Sequence, residues 1–409
     1  MKRDYVRYCF LQQIMEGHSM SQMTVSSGSA ASYKKITTRH YGRIWLRVVV
    51  WLYALLVAVS VVSSGFSMAA GGGDAAAKLF SFASNPVMGL ITGTLATAMV
   101  QSSSTVTSVI VGLVAGGLPI EMAIPMIMGA NIGTTITNTL VSLGHIGNCQ
   151  EFKRAFAAST VHDFFNYIAV IIFLPLEIYT GFISDLASST AHFFMGESNV
   201  SMSHMNIVET LTEPSVEIIK GFAQLLPNHT LGGVAMILSG ICLIFSSVVR
   251  LGKLLKKVMV GRAKKLMDKA ICSGPLSGIA SGMVMTVMVQ SSSTTTSLMV
   301  PMVGNGLFTV RQMYPFTLGA NIGTTITALM AATAITGSAA LSALTIALVH
   351  TYFNVLAVIV IYGLKFLREI PLIASGKLAE LASKNRIYAF VYLAFAFFIL
   401  PGICVVLVK

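Results

Sequence analysis

The chain has 409 residues, 55% of them hydrophobic and only 10% charged, with a mean hydropathy of +0.77; soluble domains carry about 25% charged residues, so this composition suits a bilayer rather than water. The formal net charge of +12 does not indicate nucleic acid. The basic residues crowd into the first 47 positions, into 250–269 and more thinly into 365–386, beside apolar runs, where positive-inside topology accounts for them. The five cysteines form no CxxC pair and carry no metal-ligand spacing, which argues against a disulfide framework or a zinc site; those inside apolar runs are expected to be buried.

Residues 1–43 read as a cytoplasmic tail, partly disordered around 26–32, and not as a signal peptide, because polar and basic residues precede the first long apolar run. That run, 44–64, is long enough to cross a bilayer, and Gly71-Gly-Gly-Asp74 is a turn signal. The stretch 86–117 is unusual. From Pro86 to Gln101 there is roughly 22 Å of helix, short of a ~30 Å hydrocarbon core. Gln101-Ser102-Ser103-Ser104-Thr105 then interrupts the apolar run, which resumes up to Gly116-Gly117. Two half-helices meeting at a polar tip, a re-entrant hairpin, fit this better than one long helix with a polar centre. Gly89 and Gly93 would let the hairpin pack closely on a neighbour.

The next crossing, 123–143, is expected to be broken by the GANIGTT segment that begins at Gly129. A loop with Lys153 and Arg154 leads to 152–179, which carries His162, Asp163 and Asn166. Residues 184–226 are polar and acidic and read as an external connector. The run 231–249 crosses again, 250–269 reads as a basic loop, a second repeat runs over 275–364, and an amphipathic linker leads to a last apolar span, 387–408.

Four blocks recur in the same order. QSSST at Gln101 returns at Gln290; Gly89-x-x-x-Gly93 returns as Gly278-x-x-x-Gly282; Gly129-Ala-Asn-Ile-Gly-Thr-Thr-Ile-Thr137 returns unchanged as Gly319 to Thr327; Val161-His-x-x-Phe-Asn166 returns as Val349-His-x-x-Phe-Asn354. This is an internal duplication. Charge flips between the copies: the segment after GANIGTT is basic in the first and uncharged in the second, and the segment after VHxxFN is acidic in the first and basic in the second. The segment before each hairpin changes from nearly uncharged to strongly basic. Opposite membrane orientation explains all three reversals. The expected fold is therefore an all-α polytopic membrane protein with two inverted-topology repeats, each containing a re-entrant QSSS hairpin and a broken GANIGTT helix. Its layout is a tail (1–43), repeat 1 (44–183), an external connector (184–230), repeat 2 (231–364), then an amphipathic linker and final helix (365–409). Inverted repeats point to alternating access, hence a transporter.

The chemistry lies in the tips. A carboxamide and four hydroxyls in hydrocarbon are costly unless bonded. Their oxygens suit a hard cation such as Na⁺, while their hydrogens and free backbone N–H groups suit an oxyanion, and half-helix N-termini add positive dipole ends. Many neutral donors with no Lys or Arg indicate an anion that travels with cations. GANIGTT is not a nucleotide-binding loop, because the required lysine is absent and no strand precedes it. Its glycines are expected to break the helix and free carbonyls beside Thr134, Thr137, Thr324 and Thr327, a setting for ion coordination. Asn131 and Asn321 either cap or ligate. Asp163, with Thr351 at the matching position of the second repeat, is an intramembrane carboxylate and so a cation ligand or proton relay. The matched His162 and His350 are expected to bond backbone. No catalytic elbow, zincin motif or Cys-His pair occurs, and a serine-rich tip without a general base is no nucleophile site, so the chain does not read as an enzyme.

The paired QSSS tips, the GANIGTT segments and the VHDFFN stretch resemble the type II sodium-dependent phosphate cotransporter family over about 44–364. The resemblance implies symport of inorganic phosphate into the cell with sodium as coupling ion and no organic cofactor, in the cell membrane with the N-terminus cytoplasmic. It implies sodium ligands at Gln290, Ser291, Thr134, Thr324 and Thr327, with Gln101 as the matching position of the first tip. It implies phosphate near Ser102, Ser103, Ser104 and Thr105 and near Ser291, Ser292, Ser293 and Thr294, with Asn131 and Asn321 as further candidates. Asp163 at the VHDFFN position implies an additional sodium and electrogenic transport. Animal members have a long external loop with paired cysteines and glycans; the short cysteine-free 184–226 departs from this and implies a bacterial member, with the sequons at Asn199 and Asn228 unglycosylated. A sodium symporter for another small anion is the nearest alternative, and a channel or scaffold a more distant one. Oligomeric state is not legible.

Overall fold

The computed structural model describes residues 38–70, 85–195, 207–272 and 274–408; most of the expected tail, the turn at 71–74 and Asn199 lie outside them. The described residues form helices and no strands. Five helical stretches, Gly42–Ala69, Cys149–Thr180, His229–Leu254, Gly337–Tyr362 and Ile387–Cys404, are long and apolar enough to cross a membrane by length and composition. With a surface rich in exposed Leu, Ile, Val and Phe, which only lipid solvates well, the chain is a multi-pass membrane protein.

Helix α1 (Thr38–Ala70) is followed by α2 (Pro86–Val100) and α3 (Ser103–Ala115). Asn85 caps α2 by accepting from Val87 N, with Pro86 at the first position, where its missing N–H costs nothing. Next come α4 (Ile120–Gly133), α5 (Ile136–Ser142) and α6 (Cys149–Thr180). Asn148 caps α6, and Gly181 at φ 62 ends it. Helices α7 (Phe182–Met195) and α8 (Ile207–Gln224) lead to α9 (His229–Cys272). The second copy follows: α10 (Pro275–Val289), α11 (Ser292–Ser297), α12 (Met299–Gly304), α13 (Val310–Ala332) and α14 (Ala340–Ala357). A capping box between Thr309 and Gln312 starts α13. The chain ends in α15 (Lys365–Lys384), α16 (Ile387–Ala394) and α17 (Leu400–Val408).

The pairing of elements is duplicated too. Half-helix α2 lies along α4, and α10 along α13. Each approach is so close that glycine is required on both sides: a Cβ on Gly93 would sit 2.0 Å from Met126 O and one on Gly129 2.0 Å from Leu90 O; in the second copy, Gly282 faces Phe316 O at 2.0 Å and Gly319 faces Ile279 O at 1.8 Å. The copies also cross: α3 packs on α13, and α11 on α5, so each serine-bearing helix rests on the GANIGTT helix of the other copy.

Several expectations need correction. The GANIGTT segment is interrupted only in the first copy, at Thr134 and Thr135; α13 runs unbroken through the second. Identical glycines therefore do not break the helix, and they serve close packing instead. What differs is outside them: Thr134 O accepts Ser293 Oγ at 3.4 Å, and Asn138 is engaged across the interface where the second copy has Ala328, a better helix former. The basic run 250–269 is no loop, because α9, 44 residues long in all, continues through it, reaching ~66 Å or about twice the hydrocarbon thickness; its Lys, Arg, Leu, Met and Ala favour helix. Lys153 and Arg154 lie on α6, not in a loop. The polar connector contains α7, whose Ile183, Ala187 and Ala191, spaced by four, enter the main core. Cys242 is exposed and Cys404 half-buried, because helix faces that meet lipid need no burial in protein.

Candidate functional site

Each tip is built in the same way. Gln101 and Gln290 end α2 and α10 in the left-handed region, both at φ 55, ψ 30, and their N–H groups donate to Thr97 O and Thr286 O at 2.7 Å. Among the described residues they alone have positive φ without being glycine. That conformation costs about 1–2 kcal/mol for a residue with a Cβ, which glycine would avoid. Two glutamines at equivalent strained positions mean that the carboxamide is wanted there. The next residue restarts the helix: Ser102 Oγ accepts from Thr105 N at 3.3 Å, and Ser291 Oγ from Thr294 N at 3.1 Å. Ser102 and Ser291 are half-buried, while Ser103, Ser104, Thr105, Ser292 and Ser293 are buried.

The two tips differ in their surroundings. Gln290 is buried; its Oε1 accepts from Thr327 Oγ1 at 3.0 Å and its Nε2 donates to Val287 O at 2.7 Å. Thr296 and Ser297 hydroxyls both donate to Asn138 Oδ1, at 3.0 and 2.9 Å, docking the second tip on α5. Gln101 is exposed, and its counterpart hydroxyl, Thr137 Oγ1, is buried with no hydrogen-bond partner. Thr134 and Thr324 donate their hydroxyl hydrogens back to Ala130 O at 2.8 Å and Ala320 O at 3.1 Å. A hydroxyl that has given up its one hydrogen presents only lone pairs, which suits a cation.

Between the two GANIGTT helices lies an amide network. Asn131 Nδ2 donates to Asn354 Oδ1 at 2.9 Å, and Asn321 Nδ2 to Asn354 Oδ1 at 2.7 Å and Asn166 Oδ1 at 3.1 Å. Asn166 Nδ2 donates to Asn131 O at 2.8 Å, and His350 Nε2 meets Asn131 Oδ1 at 3.2 Å. All of these residues are buried. Asn131 and Asn321 thus neither cap a helix nor line a tip through free amides; they cross-link the two copies through the VHxxFN asparagines. The backbone bond expected for the histidines is absent: His350 bonds the Asn131 side chain, and His162 lies beside the Asn321 side chain.

Asp163 is buried beside Thr135, at the break between α4 and α5 next to the candidate Thr134. Its Oδ2 accepts from Tyr392 Oη at 2.7 Å, and its Oδ1 has no hydrogen-bond partner. The fold therefore joins Gln290 with Thr327, Ser293 with Thr134, and Asn131 with Asn321 through Asn354, while the Asp163 side chain bonds Tyr392 rather than any of these. Sequence reasoning assigns no role to Asn138, Asn166, Asn354 or Tyr392. The two VHxxFN asparagines sit in a recognised repeat and carried a signal. Tyr392 lies outside every repeat and carried none. An open cavity of about 420 Å³ beside Pro86, Glu121 and Glu177 holds no tip residue. Glu177 there accepts from Ile183 N at 2.7 Å and Ser184 N at 3.2 Å, capping α7.

The family model of the Na+/Pi-cotransporter matches residues 54–203 and 242–376. Sodium-dependent phosphate transport protein 2B of Bos taurus is 34% identical over 87% of this chain and 64% of its own length. The 2B protein of Homo sapiens is 33% identical over 86% and 63%, and the 2A protein of Ovis aries 31% identical over 86% and 66%. The chain thus spans just under two thirds of the length of these relatives. No solved structure matches it significantly. With both matched segments covering the tips, the GANIGTT helices and the amide network, the chain belongs to the Na+/Pi-cotransporter family.

Proposed function

We propose that this chain is a secondary active symporter that brings inorganic phosphate into the cell with sodium, by alternating access and with net inward charge, and without an enzymatic step. The observation that carries the reading is the duplicated tip: a left-handed glutamine and a serine-capped helix start, built twice, rich in hydroxyls and free of Lys and Arg. Such a surface offers hydrogens to phosphate oxygens and lone pairs to sodium, so the cation supplies the charge that the protein does not. The printed names of the relatives, sodium-dependent phosphate transport proteins, support the same two cargoes.

Phosphate is assigned to the donors of Ser102–Thr105 and Ser291–Thr294, and sodium to the oxygens of Gln290, Ser291, Thr324 and Thr327, with Gln101 and Thr134 in the first copy and Asp163 as a further site. Asn131 and Asn321 have their amides engaged in the central network, which favours a bracing role over direct contact with phosphate. The half-helices α2 and α3, 15 and 13 residues, reach only ~20 Å each, and with α10 and α11 they act as re-entrant hairpins. The charge reversals between copies support inverted repeats over 44–183 and 231–364, with residues 1–43 cytoplasmic and 184–230 external.

Replacing Gln290 tests the site. Gln290→Ala should abolish sodium-driven phosphate uptake while the protein still reaches the membrane in normal amount. Uptake near the unsubstituted level would remove the second tip from the transport site.

A further inference from the structure

We propose that Tyr392, on the C-terminal helix α16, is a positioning residue of the sodium site at Asp163, so that a helix outside the duplicated core forms part of the transport machinery. The inference rests on the reading of Asp163 as a sodium ligand and adds the group that orients it.

Three features that break the symmetry of the repeats meet at one place. Asp163 has no carboxylate counterpart, because Thr351 occupies that position and simply donates to Ala347 O at 3.0 Å on its own helix. Tyr167, one turn beyond Asp163, also lacks a counterpart, since Val355 stands there. Tyr392 belongs to a helix that has no copy at all. Its hydroxyl donates to Asp163 Oδ2 at 2.7 Å. The result is an oriented carboxylate with one oxygen tied and the other, Oδ1, buried without a hydrogen-bond partner. The Tyr167 hydroxyl, also buried, lies beside the Tyr392 hydroxyl and close to Asp163, and the Thr135 hydroxyl, at the break between α4 and α5, lies beside the same carboxyl.

If the tyrosine served only to satisfy a buried acid, the second oxygen would still need a donor, and the hydroxyl beside the carboxyl, Thr135 Oγ1, already donates to Ile132 O at 3.0 Å. A buried carboxylate oxygen left bare is costly, whereas a cation bound there would complete its surroundings. One hydrogen bond from a rigid phenol fixes the rotamer of Asp163 and leaves Oδ1 free to ligate. The Tyr392 ring is held independently, at 6.2 Å from the Phe156 ring centroid, 6.3 Å from Phe164 and 6.5 Å from Phe397. Tyr392→Phe therefore keeps the packing and removes only the hydroxyl.

The test uses the full chain in proteoliposomes, with labelled inorganic phosphate and varied sodium. Tyr392→Phe should raise the sodium concentration for half-maximal uptake by about tenfold, the order expected from losing one hydrogen bond to a charged group. The phosphate concentration for half-maximal uptake at saturating sodium should not change. In an Asp163→Asn background the same substitution should have less than a twofold effect, because the oriented carboxylate is already gone. An unchanged sodium requirement in Tyr392→Phe, or the same rise with and without Asp163, overturns the positioning role while leaving the symport reading intact. Equal uptake by the unsubstituted protein under sodium and potassium gradients overturns the symport reading, and this inference with it.

Discussion

Replacing Gly319 by alanine places a methyl group 1.8 Å from Ile279 O, about 1.5 Å short of ordinary contact. The atom it meets is backbone carbonyl on α10, with no flexible end to yield, so α10 and α13 must separate. Overpacking of this kind costs about 3 kcal/mol, and a shift of about 1 Å in groups that position a substrate costs on the order of 10²-fold in rate. Here the shift falls on the two helices that bring Gln290 Oε1 and Thr327 Oγ1 to 3.0 Å. Gly376→Ala is the control, because nothing lies within 4 Å of its Cβ position; it should be neutral or slightly stabilising, since alanine is favoured over glycine within a helix. The assay is thermal unfolding of the purified protein together with phosphate uptake normalised to the amount in the membrane. Gly319→Ala with an unaltered melting midpoint and full uptake would refute the reading that these glycines exist to let the half-helix approach.

Asn321→Ala should cost about 1–3 kcal/mol, because Asn166 Oδ1 and Asn354 Oδ1 both lose a buried donor; a melting midpoint equal to that of the unsubstituted protein would show that the network does not brace the two copies. At the start of α13, Arg311 pairs with Glu369 on α15 through both terminal guanidinium nitrogens, and its hydrogen bonds hold the Glu369 carboxyl below its ordinary range. A lowered folded value means a contribution that is full above the ordinary glutamate range and lost as pH falls through the lowered value. Glu369→Gln should therefore cost less than ~1 kcal/mol at neutral pH, the pair being exposed, and nothing in acid; a difference that grows on acidification would reverse the assignment.

The parts legible in the sequence are those written locally. Pro86 and Gln101 bracket a piece too short to cross a bilayer, and the structure ends α2 between them. The Gly93 signal for close packing holds, and Gly129, whose place in a GANIGTT run suggests a helix break, is its partner in the same close approach. Break or continuity at GANIGTT is decided outside the motif, by Ser293 and Asn138 in one copy and Ala328 in the other, so identical sequences take different forms. The left-handed glutamines were hidden because nothing in a QSSST run says which residue carries the reversal. The amide network pairs Asn131 with Asn354, 223 positions away, and Tyr392 reaches Asp163 across 229; neither distance leaves a trace in periodicity. The continuation of α9 through a basic run is not legible in the sequence because charge marks a membrane boundary but does not end a helix.

The measurement that tests the central claim most directly is uptake of labelled inorganic phosphate by proteoliposomes of this chain under an inward sodium gradient, set against an equal potassium gradient. The account predicts accumulation above equilibrium with sodium alone, collapsing when the gradient is dissipated. Equal uptake with both cations, or sodium-dependent entry that never exceeds equilibrium, would contradict it.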